Sequence, residues 1–82
     1  MVRNLNTIAR EIYDDWINVN YAAKPYLEAM AMGKHVTRDN IKQQKFYLDS
    51  YTSVVRYFLA NAASWRGEKA RSIKNELKTW IN

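Results

Sequence analysis

The sequence predicts an all-α protein, a compact antiparallel three-helix bundle that occupies residues 1–82 as a single helical domain. Two glycines and one proline leave little material for the turns that a many-stranded fold requires. Apolar residues recur at steps of three and four along most of the chain, the spacing that keeps side chains on one face of a helix. Since the connections between these segments are short, consecutive helices are expected to pack antiparallel.

The first predicted helix begins at Leu5 and ends at Gly33, a residue typical of a C-terminal cap. Its apolar stripe keeps one phase and comprises Leu5, Ile8, Ile12, Trp16, Val19, Ala23, Tyr26 and Met30. Pro25 lies inside this stripe, where a proline removes one backbone hydrogen bond and clashes with the carbonyl four residues earlier. We therefore expect a kink or a short break near residues 20–24, and the continuous phase favours the kink.

The second predicted helix begins after Thr37 or Asp39, either of which is a good N-cap residue. Its core stripe consists of Leu48, Tyr51, Val55, Phe58 and Ala62. Further large apolar residues surround this stripe, namely Phe46, Tyr47, Val54, Tyr57 and Leu59. Because two short neighbouring helices cannot cover so broad an apolar surface, we expect a homo-oligomer.

The third predicted helix begins near Ser64, a good N-cap residue, or at Gly67. Its apolar stripe consists of Ala70, Ile73, Leu77, Trp80 and Ile81. Beside that stripe, Arg71, Lys74 and Lys78 follow one another at steps of three and four and form a basic ridge, with Arg66 and Lys69 at the start of the helix. Such a ridge suits phosphates, although a solvated face is an equally good interpretation.

The basic character of the chain, which has a net charge of +5, belongs to its second half. Residues 33–65 and residues 66–82 each carry five bases and two acids, whereas residues 1–32 carry three bases and four acids. The acids Glu11, Asp14 and Asp15 share one face of the first helix. We interpret them as a solvated face or as partners of the basic third helix, and we expect no metal site and no cofactor.

Neither a disulfide nor a zinc framework is available, since the chain has no cysteine and a single histidine, His35. His35 lies in the connection between the first two predicted helices, and no serine has an evident histidine base. We therefore expect a protein that is not an enzyme. The N-terminus lacks the apolar core of a signal peptide, and the longest apolar stretch is interrupted by Arg56 and Asn61. These features predict a cytoplasmic protein with no membrane partner.

The corner between the second and third predicted helices holds the sequence Trp65, Arg66 and Gly67. A tryptophan face could stack on a base, an arginine and free helix amides could take phosphate, and a glycine permits close approach. The candidate ligand-binding residues are Trp65, Arg66, Gly67, Lys69, Arg71 and Lys74. The alternative is that Trp65 plugs the end of the bundle, Gly67 permits a tight turn and Arg66 pairs with an acid of the first helix.

Three pieces of the chain, "IAREIYDDW", "AAKPYLEAM" and "VVRYFLANAASWRGEKARSIKNELK", carry a resemblance that spans residues 8–30 and 54–78. Together they resemble a family of small proteins, mostly of uncharacterised function, encoded in tailed-phage and prophage genomes. The most specific positions are Phe58, Leu59, Asn61, Trp65, Arg66, Gly67, Ala70, Arg71, Lys74, Glu76 and Leu77. Residues 33–45 do not match. The resemblance implies a phage origin, and hence residence in the cytoplasm of a bacterial host, without implying a reaction.

Three functional hypotheses follow from these observations. The first is a counter-defence or host-takeover protein that holds a nucleotide or other phosphorylated small molecule between the Trp65 corner and the basic ridge. The second is a protein that inhibits a host enzyme or defence complex, suggested by three tryptophans, six tyrosines and two phenylalanines, more than a three-helix core needs. The third is a nonspecific nucleic-acid binder, which ranks lowest because acids are interspersed among the bases.

Overall fold

The computed structural model describes residues 3–82 and consists mostly of helix, with one small two-stranded sheet. The elements in chain order are α1 (Leu5–Asp15), α2 (Lys24–Ala31), a 3-10 turn (Ile41–Gln43), β1 (Lys45–Phe46), β2 (Asp49–Ser50), α3 (Tyr51–Ala60) and α4 (Glu68–Ile81). The expectation of an all-α three-helix bundle is therefore wrong in two respects: the described chain has four α-helices, and β1 and β2 form an antiparallel hairpin. The mainly helical character is confirmed.

The first predicted helix is broken rather than kinked, so the favoured interpretation of Pro25 is wrong. α1 ends at Asp15, and residues 16–23 form a turn that Asn20 organises. The backbone carbonyl of Asn20 accepts hydrogen bonds from the amides of Ala23 and Lys24, at 2.9 and 3.1 Å. The side-chain amide of Asn20 donates to the Asn61 backbone carbonyl at 3.0 Å. Pro25 then lies in the first turn of α2, where its missing N–H removes no helical hydrogen bond.

Gly33 follows α2 without acting as the left-handed cap that the sequence suggests. Met32 is the C-cap residue, and Gly67 is the glycine with positive φ among the described residues. The Gly33 amide donates to the Met30 carbonyl at 3.0 Å, and the Gly33 carbonyl accepts from the amides of Asn6 and Val36. A β-carbon here would lie 3.2 Å from both the Met30 oxygen and Val36 Cγ2. Glycine is used at this position for close packing.

The segment predicted to start the second helix forms loop, 3-10 turn and hairpin instead. Ser50, rather than Thr37 or Asp39, is the N-cap of α3, and its hydroxyl accepts from the Ser53 amide at 3.1 Å. Tyr47 and Leu48 form the hairpin tip, and Tyr47 has a φ of 58°. Leu48, which was expected in the core stripe, is 98% exposed. Because α3 begins only at Tyr51, Leu48 lies outside the helical periodicity that predicts its burial.

One hydrophobic core joins all four helices, with α1 packed on α2 and α4, and α3 packed on α2 and α4. The predicted stripe of α4 is confirmed, with Ile81 partly buried and the other four residues buried. The largest fully buried side chains are Trp65, Phe58, Leu5, Ile8, Ile12, Leu27, Met30, Ile41, Leu77 and Val55. No helix of the described chain combines the length and the apolar character needed to cross a membrane.

Candidate anion-binding groove

Trp65 lies at the corner between α3 and α4 and forms part of the core. Only 2% of the residue is exposed. Its ring stacks nearly parallel on Trp16, with centroids 5.8 Å apart and an interplanar angle of 10°, and meets the edge of Phe58 at 6.5 Å. Its Nε1–H donates to Asp15 Oδ2 at 2.8 Å. Because the ring is buried, it offers no free surface on which a base could stack, and of the two interpretations of Trp65 the structure favours the one in which it plugs the end of the bundle.

Lys74 contacts both the backbone and the ring of Trp65. Its Nζ donates to the Trp65 carbonyl oxygen at 2.6 Å and lies 5.8 Å from the centroid of the tryptophan ring. Partial burial, followed by the positive charges of Lys78 and Arg66, lowers the pKa of Lys74 below its ordinary value. Within residues 3–82 no carboxylate forms an ion pair with this ammonium group, which lies among positive charges.

Gly67 turns the chain into α4. It is the N-cap residue, with φ of 115° and ψ of 179°, and its carbonyl accepts the Arg71 amide at 3.0 Å. The helix therefore begins at Glu68, after Gly67, rather than near Ser64. Since an L-residue rarely adopts this φ, glycine is required by the backbone at this point. The turn leaves Arg66 exposed. Within residues 3–82, Arg66 makes no ion pair with an acid of α1.

The corner and one side of α4 together enclose an open groove of about 330 Å³. Its lining residues are Trp65, Arg66, Gly67, Ala70, Arg71, Lys74, Asn75 and Lys78. Five of the six candidate ligand-binding residues thus come together, and the lining contributed by the described chain contains four bases and no acid. Asn75 was missed by the sequence analysis, although its position four residues after Arg71 places it on the same helix face.

Lys69, the sixth candidate, lies on the other side of α4. Its Nζ is 3.8 Å from Glu11 Oε1, which also accepts a hydrogen bond from the Arg3 guanidinium at 3.0 Å. The Arg3 Nε lies 3.5 Å from Glu76 Oε2. The interpretation of Glu11 as a partner of the basic helix is therefore confirmed, and Lys69 does not belong to the groove.

The remaining candidate chemistry is sparse. Within residues 3–82, no group of three or more His, Asp or Glu side chains is arranged to hold a metal ion. His35 is exposed in the loop after α2, and its backbone carbonyl accepts a hydrogen bond from the Asn40 side chain at 2.8 Å. The Ser50 hydroxyl donates to the Ser53 hydroxyl at 3.1 Å, which occupies both groups in the N-terminal cap of α3.

Comparisons of the chain with protein-family models, with curated proteins and with solved structures found no match.

Proposed function

We propose that this chain is a non-enzymatic binding protein that holds a phosphorylated small molecule, such as a nucleotide, in the groove along α4. The observation that supports this proposal is the composition of the lining: Arg66, Arg71, Lys74 and Lys78 surround one cavity, and no carboxylate from the described chain lines it. On the opposite side of α4, by contrast, Lys69 is paired with Glu11, and Arg3 is paired with Glu11 and Glu76. An anion in the groove would supply the missing countercharge.

The four bases have different tasks in this proposal. Arg66 and Arg71 are exposed and free of internal ion pairs within residues 3–82, so their planar guanidinium groups are available for bidentate contacts with phosphate oxygens. Lys78 adds a flexible positive charge at the next turn. Lys74 is held in place by the Trp65 carbonyl, and an arriving anion would stabilise its charged form.

The size of the groove favours a compact ligand. A volume of about 330 Å³ lies at the lower end of the range of about 300–1,000 Å³ that is usual for small-molecule sites. A nonspecific nucleic-acid binder usually combines a longer basic track with aromatic faces on which bases stack. Here Trp65 is buried and the bases are gathered around one cavity, so the nucleic-acid hypothesis ranks below the compact ligand.

Isothermal titration with inorganic pyrophosphate, AMP and ATP tests the proposal. We expect binding by at least one of these compounds, weakened about tenfold or more by Arg71→Gln, since a hydrogen bond to a charged group contributes about 1.5–3 kcal/mol. Lys69→Gln is the matched control, because it removes the same charge from the same helix on the side away from the groove. Equal losses in the two variants, or no binding by any of the three compounds, would contradict the proposal.

A second candidate function is inhibition of a host protein through an apolar surface. The exposed hairpin tip supports it, because Tyr47 is 83% and Leu48 is 98% exposed. Tyrosine is among the residues enriched at the energetically important positions of protein interfaces, and Leu48 adds apolar area beside Tyr47. Capture of one stoichiometric protein from bacterial lysate, abolished by Leu48→Ser, would support this function, whereas capture that is insensitive to Leu48→Ser would argue against it.

We also propose a phage origin, a role in counter-defence and self-association, the first two on the resemblance described above. Self-association is supported by several large apolar side chains that remain exposed in the single chain, including Ile17, Tyr21 and Met32. Light scattering at high protein concentration tests it, and a monodisperse monomer would contradict it. Plating efficiency of a phage on a defended host that expresses the chain tests the counter-defence role.

A further inference from the structure

A second cavity lies between the hairpin, α2 and α3 and shares no lining residue with the α4 groove. Its volume is about 210 Å³. The residues that line it are Pro25, Tyr26, Ala29, Phe46, Asp49, Val54 and Tyr57. Three of these are aromatic and one is a carboxylate, and none is a base. This lining differs in both charge and polarity from that of the α4 groove.

The lining of the cavity combines aromatic rings with aliphatic side chains. The rings of Tyr26 from α2 and Tyr57 from α3 lie 5.4 Å apart at an angle of 32°. Ala29 and Val54, each one helical turn from one of these tyrosines, are buried and belong to the same lining. The Tyr51 hydroxyl donates to the Ala29 carbonyl at 3.2 Å and so ties α3 to α2 beside the cavity. The walls are thus held by two packed helices.

The hairpin supplies the third ring and the charge. Phe46 and Asp49 are directly opposite each other in the pairing of β1 with β2, so their side chains project from the same face of the hairpin. Phe46 also packs edge-on against Tyr51, with centroids 6.0 Å apart. Within the described chain, Asp49 makes no ion pair with a base. Its negative charge is therefore available to a ligand.

Aromatic faces and one carboxylate around a small cavity favour a cation, because the negative face of each ring and the carboxylate both attract positive charge. A primary ammonium has three N–H donors that need acceptors, and this mainly apolar lining offers few. A quaternary ammonium has no donor to satisfy. A volume of about 210 Å³ is smaller than a site for a drug-sized ligand and suits one head group.

We propose that the cavity formed by Tyr26, Phe46, Asp49 and Tyr57 is a binding site for an N-methylated ammonium group. This site is independent of the α4 groove, so a failure of either proposal leaves the other standing. The aromatic rings and the Asp49 carboxylate recognise the charge, and the aliphatic part of the lining accommodates the methyl groups.

Nuclear magnetic resonance titration with choline, compared with its uncharged isostere 3,3-dimethylbutan-1-ol, tests the proposal on the unaltered protein. We expect choline to shift the ring signals of Tyr26, Phe46 and Tyr57 and to bind at least about fivefold more tightly than the isostere. Equal affinity for the two compounds would show that the cavity recognises shape alone and would overturn the proposal. So would choline-dependent shifts confined to other parts of the molecule.

Two variants test which residues bind the ammonium group. Asp49→Asn removes the charge from an exposed hairpin residue and is expected to weaken choline binding about two- to fivefold, while Tyr57→Leu is expected to weaken it further. Tyr21→Leu, which removes a 91% exposed tyrosine outside the cavity, is the matched control and should leave binding unchanged. If Tyr57→Leu disturbs folding, the Asp49→Asn result decides, and unchanged affinity in that variant would overturn the proposal.

Sedimentation with phosphatidylcholine vesicles distinguishes the two possible sources of the N-methylated ammonium group, a lipid head group and a free small molecule. Co-sedimentation that choline competes away would identify the lipid head group as the ligand. Choline binding without co-sedimentation would identify a free quaternary ammonium compound.

Discussion

The two sides of α4 use the same kinds of residue in opposite ways. On the side that faces α1, Lys69 and Glu76 form a chain of ion pairs with Arg3 and Glu11. On the groove side, Arg66, Arg71, Lys74 and Lys78 lie together without an acid from the described chain in the lining. The difference shows that the number of bases on a helix does not say whether their charges are paired within the protein, whereas the balance of charge on each face does.

Trp65 is joined to α1 through Asp15 and to α4 through Lys74, so its truncation is expected to have the largest effect on stability. Trp65→Ala should lower the free energy of unfolding by about 3–5 kcal/mol, because it leaves a cavity against Trp16 and Phe58. Denaturant unfolding measures this loss. Arg71→Gln, on the exposed surface, should change the same quantity by no more than about 0.5 kcal/mol. A loss below about 1 kcal/mol for Trp65→Ala would contradict the structural role of the ring.

The hydrogen bond from Trp65 Nε1 to Asp15 gives the next largest effect. Asp15→Asn should lower the free energy of unfolding by about 1 kcal/mol, since it replaces a charged acceptor with a neutral one at a partly exposed position. The adjacent Asp14→Asn, also at an exposed position, is the matched control and should fall within about 0.5 kcal/mol of the unaltered protein. Indistinguishable unfolding curves for the two variants would show that the bond contributes nothing measurable.

The ion pairs on the α1 side should contribute little to stability despite their number. Their side chains are roughly one third exposed or more, and exposed pairs are typically worth about 0–1 kcal/mol. Glu11→Gln should therefore lower the free energy of unfolding by less than about 1 kcal/mol, and the loss should shrink as salt is added. A larger loss that is independent of salt would show that Glu11 acts by packing.

The smallest expected effect is on the protonation of Lys74. Folding lowers the pKa of this ammonium group through burial and the nearby charges of Lys78 and Arg66. The folded protein therefore binds fewer protons here than the unfolded chain between the lowered pKa and the ordinary value of 10.5, so this lysine's contribution to stability rises with pH in that window. Arg66→Ala and bound pyrophosphate should each raise the pKa, as measured from the Lys74 side-chain carbon signals. No change with either would contradict the placement of these charges around one groove.

The parts of the fold that depend on local periodicity were predictable from the sequence. The stripe of α4 and most of the stripes of α1 and α2 are buried as expected. The hairpin was missed because its tip is Tyr47–Leu48, and neither residue is a usual turn former for a two-residue loop. The sequence allowed either a kink or a break near Pro25. The chain breaks because Asn20 closes a turn before α2, and Pro25 then lies in the first turn of α2, where it removes no helical hydrogen bond.

The candidate site was predictable only where helix geometry alone decides. Arg71, Lys74 and Lys78 follow at steps of three and four and share a face, as expected. Lys69 precedes Arg71 by two positions, which rotates it by about 200° around the helix, so the sequence already contained the reason to exclude it. The stacking of Trp65 on Trp16 could not be predicted, because it depends on how distant segments pack.

At the start of α4, the positive φ of Gly67, and not a lack of space around it, limits which residues can replace this glycine. A β-carbon of an L-residue at this position would find no atom within 4 Å, so alanine would be disfavoured by its backbone alone. A D-amino acid has mirror-image preferences, and for it φ of 115° with ψ of 179° is ordinary extended backbone. A semisynthetic chain with D-alanine at this position would therefore restrict the unfolded ensemble while keeping the native backbone angles, whereas its L-alanine stereoisomer would strain them.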